Sequence, residues 1–91
     1  MLLLSYDISD DKLRAKFSKF LSKFGRRLQF SVYEIKNSDR VLRNINIAIQ
    51  NNFAKKFGER DSVIIFKLNA ACEKIAYGYA KHDESNLLVV A

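Results

Sequence analysis

The chain has 91 residues, near the lower limit of what folds alone, and a chain this short leaves much of its surface unburied unless it oligomerises. Sixteen Lys and Arg against ten Asp and Glu give a net charge of +6 and an isoelectric point near 9.6, a field that favours polyanions such as nucleic acid or anionic lipid. The single cysteine, Cys72, excludes an intrachain disulfide, and with His82 as the single histidine there is no zinc constellation and no Cys/His nucleophilic pair.

Residues 2 to 8, LLLSYDI, form an apolar run too short for a helix and predict a first strand. From Asp10 to Phe24 the apolar residues Leu13, Phe17, Phe20, Leu21 and Phe24 recur at helical spacing, and Gly25 reads as the helix terminator. The other side of that helix carries Lys12, Arg14, Lys16, Lys19 and Lys23, and the turn behind it adds Arg26 and Arg27. LQFSVYEI, residues 28 to 35, alternates with the period of a strand. Asn37 and Ser38 are capping residues for a second helix, whose stripe of Leu42, Ile45, Ile49 and Phe53 runs to Gly58. DSVIIFKL, residues 61 to 68, is β-branched through its centre and is the clearest strand. KIAYGYA pairs as a further strand, KHDESN is a polar loop and LLVVA is a last β segment. The order, βαβ then αβ with further strands, resembles one α+β domain over residues 1 to 91, a ferredoxin-like βαββαβ sandwich with an extra C-terminal strand. Its antiparallel sheet carries two helices on one face. The opposite face, expected to present Tyr6, Ile64 and Phe66, then needs covering, which predicts a homodimer.

Three aspartates fall within five positions of SYDISDD. Ser9 is the expected cap of the first helix, and Asp10 and Asp11 in its first turn offset the positive end of the helix dipole. Asp7, at the end of the first strand, has no such explanation and is the candidate functional carboxylate. Ser31 is a candidate hydroxyl close to it, without a base to activate it, and Tyr6 is its other neighbour. Arg14, Lys16, Lys19, Lys23, Arg26 and Arg27 concentrate charge in one span and predict binding to a duplex backbone, independent of sequence and sensitive to salt. No apolar run approaches the roughly 18 to 20 residues that cross a bilayer. The first residues lack the pattern of a secretory signal, and a cytoplasmic protein without membrane association is expected.

YDISDDKLR at 6 to 14, the glycine and basic pair before QFSVYE at 25 to 34, and DSVIIFKL at 61 to 68 together resemble a known family. It is the small ferredoxin-like adaptation protein of CRISPR systems, the partner of the spacer integrase, also known as a CRISPR-associated endoribonuclease. The resemblance implies a homodimer that bridges two integrase dimers and holds captured duplex DNA. Some relatives are described as magnesium-dependent nucleases of RNA or DNA, which implies Mg²⁺ held by Asp7 of both chains and a catalytic role for Asp7. Lys12 and Leu13 stand where relatives often carry a longer arginine run, and Tyr33 where phenylalanine is common. A free-standing, toxin-like ribonuclease is the alternative reading.

Overall fold

A computed structural model describes residues 1–68 and 73–78. The elements follow in the order β1 (Leu2–Asp7), α1 (Asp11–Leu21), β2 (Gly25–Gln29), β3 (Val32–Ile35), α2 (Asp39–Ala48), β4 (Ser62–Lys67) and β5 (Glu73–Gly78). They make one antiparallel sheet in the order β2-β3-β1-β4-β5. The ferredoxin-like βαββαβ expectation is met, with β5 added beside β4. KHDESN, LLVVA, Cys72, Lys81 and His82 lie outside the described residues.

Alternation along β1 sends Leu2, Leu4 and Tyr6 to one side, where they are buried with Tyr33 and Ile35 of β3 and Val63 and Ile65 of β4. Both helices lay their apolar stripes on that same side: Leu13, Phe17 and Leu21 from α1, and Ile45, Ile49 and Phe53 from α2 and its extension. Phe17 is the hub. Fully buried, it meets Tyr6 edge-on at 5.3 Å and Phe53 at 4.9 Å between ring centres. Its truncation to alanine is expected to cost about 3–5 kcal/mol of unfolding free energy in a denaturant titration.

Tyr6 therefore does not belong to the uncovered sheet face, contrary to the sequence expectation. Counting the alternation from Asp7 instead of Tyr6 places Leu3, Ser5 and Asp7 on that face, beside Val32, Glu34, Ser62, Ile64 and Phe66. Ile64 and Phe66 are there as expected, and both are half-buried.

Three local differences from the sequence reading have physical causes. The segment expected as a basic turn plus one strand is a hairpin, β2 and β3, turning at Phe30 and Ser31. A register shift between Arg27 and Gln29 leaves Leu28 as an extra residue in β2, a bulge at the sheet edge. Gly25 does not terminate α1, which ends at Leu21 and is capped by Ser22. Gly25 opens β2, where a Cβ would stand 2.0 Å from the Glu34 carbonyl oxygen. The cap of α1 is Asp10 and not Ser9: the Asp10 carboxylate accepts from Leu13 N–H at 2.8 Å, while Ser9 turns to another partner.

Beyond Ala48 the second helix widens into a π turn, Ile49–Phe53, then tightens into a 3₁₀ turn, Ala54–Lys56. Ile45, Ile49 and Phe53 are spaced four apart, so a regular helix would rotate them progressively off the core. The wider turn reduces that drift, and Ile49 and Phe53 are both buried.

Candidate nucleic-acid interface

β1 ends on the open face with Asp7, which is exposed and pairs through its backbone with Ser62 of β4. Among the described residues its carboxylate has no hydrogen-bond or ion-pair partner. One position back, Tyr6 N–H donates to the Ser31 carbonyl at 3.0 Å. The Ser31 backbone thus lies beside the C-terminal end of β1. Tyr6 and Asp7 point to opposite faces because neighbouring strand residues must.

A second aspartate, which sequence reasoning passes over, lies one residue before Ser62. Asp61 is 3% exposed. Its carboxylate accepts from Ser9 N–H at 2.9 Å, from Ser9 Oγ at 2.9 Å and from Gly58 N–H at 2.8 Å. Burial pushes its pKa upward, and these bonds to the charged form outweigh that and hold it below the ordinary carboxylate value. Asp61 thereby ties the start of β4 to the loop joining β1 and α1, the loop that follows Asp7. The available signal is an acid abutting an apolar strand, DSVIIF, directly after a turn.

The six basic residues of the Arg14–Arg27 span do not form one patch. Arg26 and Arg27 are consecutive in a strand and diverge: Arg26 pairs with Glu34 across the hairpin at 3.0 Å, whereas Arg27 faces the α1 side. There Arg27, Arg14, Ser18, Tyr6, Asp11 and Phe30 line an open recess of about 230 Å³. Arg14 is anchored by its own loop. Its guanidinium donates to the Ile8 carbonyl at 3.0 Å and to the Ser9 carbonyl at 3.4 Å, and it pairs with Asp11. Arg27 is exposed and has no ion-pair or hydrogen-bond partner among the described residues.

Lys12, Lys16 and Lys19 follow helical spacing on a different strip of α1, with Lys23 in the turn behind. Lys12 and Lys16 meet Lys56 of the 3₁₀ turn around a small recess of about 140 Å³. Such lysines are point charges on flexible stems that follow a phosphate backbone without fixing its geometry, whereas the two arginines can grip a phosphate in a fixed orientation.

Among the described residues the arrangement is that of a small sheet protein with the free Asp7 carboxylate on its open face and two basic strips on its helical side. The family model for CRISPR associated protein Cas2 matches residues 1–75. The chain belongs to the Cas2 family. A CRISPR-associated endoribonuclease Cas2 of Archaeoglobus fulgidus is 34% identical over 79 residues, covering 81% of this chain and 77% of its own length. Over 33 residues, identity rises to 52% with a CRISPR-associated endoribonuclease Cas2 of Rhodospirillum rubrum and to 48% with one of Thermus thermophilus. Those stretches cover 36% of this chain and 27% and 35% of the two Cas2 relatives. No solved structure matches the chain significantly. Among the described residues no helix is long and apolar enough to cross a membrane.

Proposed function

We propose that this Cas2-family chain is a dimeric duplex-DNA-binding scaffold of CRISPR adaptation that bridges subunits of the spacer integrase. The observation that carries the reading is the pair of cationic strips around α1, the lysine row and the Arg14–Arg27 recess, on a chain whose net charge is +6. Two copies joined through the open sheet face would present both strips twice, along opposite flanks of the dimer. Leu3, Val32, Ile64 and Phe66 give that face an apolar centre. Light scattering tests the dimer, and a monodisperse 10.5 kDa species at micromolar concentration would sink it. Binding is tested by titrating duplex DNA against salt: replacing Lys12, Lys16 and Lys19 with alanine should flatten the slope of log affinity against log salt by roughly 0.9 for each phosphate no longer neutralised. An unchanged slope would remove the lysine row from the interface.

A second reading, metal-dependent phosphodiester cleavage, is favoured by Asp7, an exposed carboxylate on the face that dimerisation would duplicate. The name of the relatives, endoribonuclease, points the same way. No cluster of three or more metal-ligating side chains occurs among the described residues, so a Mg²⁺ site at Asp7 would need a second carboxylate from the partner copy. Two Asp7 carboxylates facing each other, with retained water, match the hard oxygen donors that Mg²⁺ prefers. The ion would supply neutralisation of charge developing on the phosphate. The chain's own contribution is to hold Asp7 at the end of a paired strand while the cationic strips position the polyanion. Asp7→Asn should abolish Mg²⁺-dependent cleavage of RNA or DNA and spare the dimer and spacer integration. A variant that cleaves like the parent removes Asp7 from catalysis, and a folded dimer that fails at integration rejects the pure scaffold.

A further inference from the structure

The tip of the β2–β3 hairpin presents a feature that duplex backbone binding does not use. Phe30 is 71% exposed, the most exposed large apolar side chain among the described residues. A solitary exposed apolar residue is ordinary on a protein surface. Phe30 differs in its company, because it forms one wall of the recess that holds Arg14, Arg27 and the Ser18 side chain. Its backbone is also pinned. The Tyr6 hydroxyl donates to the Phe30 carbonyl at 3.5 Å, and the carbonyl of the next residue, Ser31, accepts from Tyr6 N–H. The turn is therefore tied to the central strand while its ring faces solvent.

We propose that Phe30 is a stacking platform for one unpaired base, whose adjacent phosphate is taken by Arg27 and Arg14, so that this recess distinguishes unpaired or frayed nucleotides from continuous duplex. The inference rests on the proposed nucleic-acid interface and adds a specificity-determining residue to it. The chemistry is that of single-strand recognition: an aromatic face accepts any base, and adjacent cations take the backbone. Bases inside a duplex are already stacked on each other and offer the ring nothing. At about 230 Å³ the recess falls below the roughly 300–1,000 Å³ of sites that bury a whole drug-sized ligand. It suits one planar ring against Phe30 with the phosphate left at the mouth. Asp11, paired with Arg14 and itself exposed, is displaceable by that phosphate because exposed ion pairs hold weakly.

The test uses the full chain and two probes: a blunt DNA duplex, and the same duplex with a short single-stranded overhang carrying 2-aminopurine. Phe30→Ala should weaken overhang binding roughly thirtyfold, the mid-range loss of one base–aromatic stack, and change blunt-duplex binding less than twofold. Phe30→Trp should restore it, and 2-aminopurine fluorescence should be quenched by the parent and by Phe30→Trp but not by Phe30→Ala. Equal weakening of both probes, no weakening of either, or a changed oligomeric state of Phe30→Ala in light scattering would overturn the stacking role. Arg27→Ala reports separately on the underlying interface. If it weakens both probes while Phe30→Ala spares both, the phosphate site stands and only the platform falls; if Arg27→Ala weakens neither, the phosphate site itself fails.

Discussion

Asp7 and Asp61 sit at the same end of adjacent strands, since Asp7 pairs with Ser62 and Asp61 comes just before it, yet their surroundings are opposite. Asp61 is buried beneath three donors and ties a loop to a strand. Asp7 is exposed and, among the described residues, unpartnered. A carboxylate whose oxygens are already occupied by N–H and O–H groups stabilises a fold and has little left for a ligand. One that is free on a surface does nothing for the fold and is available to a cation. The contrast separates the two roles by donor count alone.

The strongest test of that contrast is stability. Asp61→Ala leaves Ser9 N–H, Ser9 Oγ and Gly58 N–H without their partner, and at about 1–3 kcal/mol for each buried group left unsatisfied, discounted for water entry, the loss should be about 3 kcal/mol. At roughly 4–8 °C per kcal/mol for a domain of this size, Tm should fall by more than about 12 °C in calorimetry. Asp7→Ala in parallel should stay within about 0.5 kcal/mol of the parent. Equal losses from the two variants would break the comparison.

Acid sharpens it next. The folded Asp61 carboxyl titrates below its ordinary value of 3.8, so between the two values the unfolded chain binds the proton more readily. Its stabilisation is complete above the ordinary value and is lost as pH falls through it towards the folded one. The parent should therefore lose Tm below about pH 4 more steeply than Asp61→Asn. Parallel acid limbs would show that the carboxylate's charge is not what the three donors recognise.

Smaller effects come from the exposed pairs. Glu34→Gln releases Arg26, and because Arg26 is exposed and Glu34 only half-buried the change should alter stability by less than about 1 kcal/mol. Because Arg26 lies on the open sheet face, away from the cationic strips around α1, duplex DNA affinity should change less than twofold at any salt concentration. A marked loss of stability would mean the hairpin depends on this pair.

The chain itself declares some of these features and hides others. The stripes Leu13–Phe17–Leu21 and Ile45–Ile49–Phe53 and the β-branched run at 62–67 mark both helices and β4, because each pattern is one element's own periodicity. Asp7 stands out in the sequence because nothing local explains it, and the structure provides no partner for it among the described residues. Asp61 escapes a sequence reading because its donors come from Ser9, 52 positions away, and from a turn glycine. The hairpin escapes it too, because the alternation of LQFSVYEI runs on through the turn at Phe30 and Ser31 and so reads as a single strand.

Composition, periodicity and short motifs determined by themselves a basic α+β chain with two helices on one sheet face, since apolar burial demands those patterns wherever the elements end up. Tertiary structure decided what depends on which side a residue faces. It turned Tyr6 into the core and Asp7 out of it, sent Arg26 and Arg27 to opposite faces, and moved the cap of α1 from Ser9 to Asp10. A strand's register changes every side chain's face with a shift of one residue, and register is fixed by pairing with strands distant in the chain.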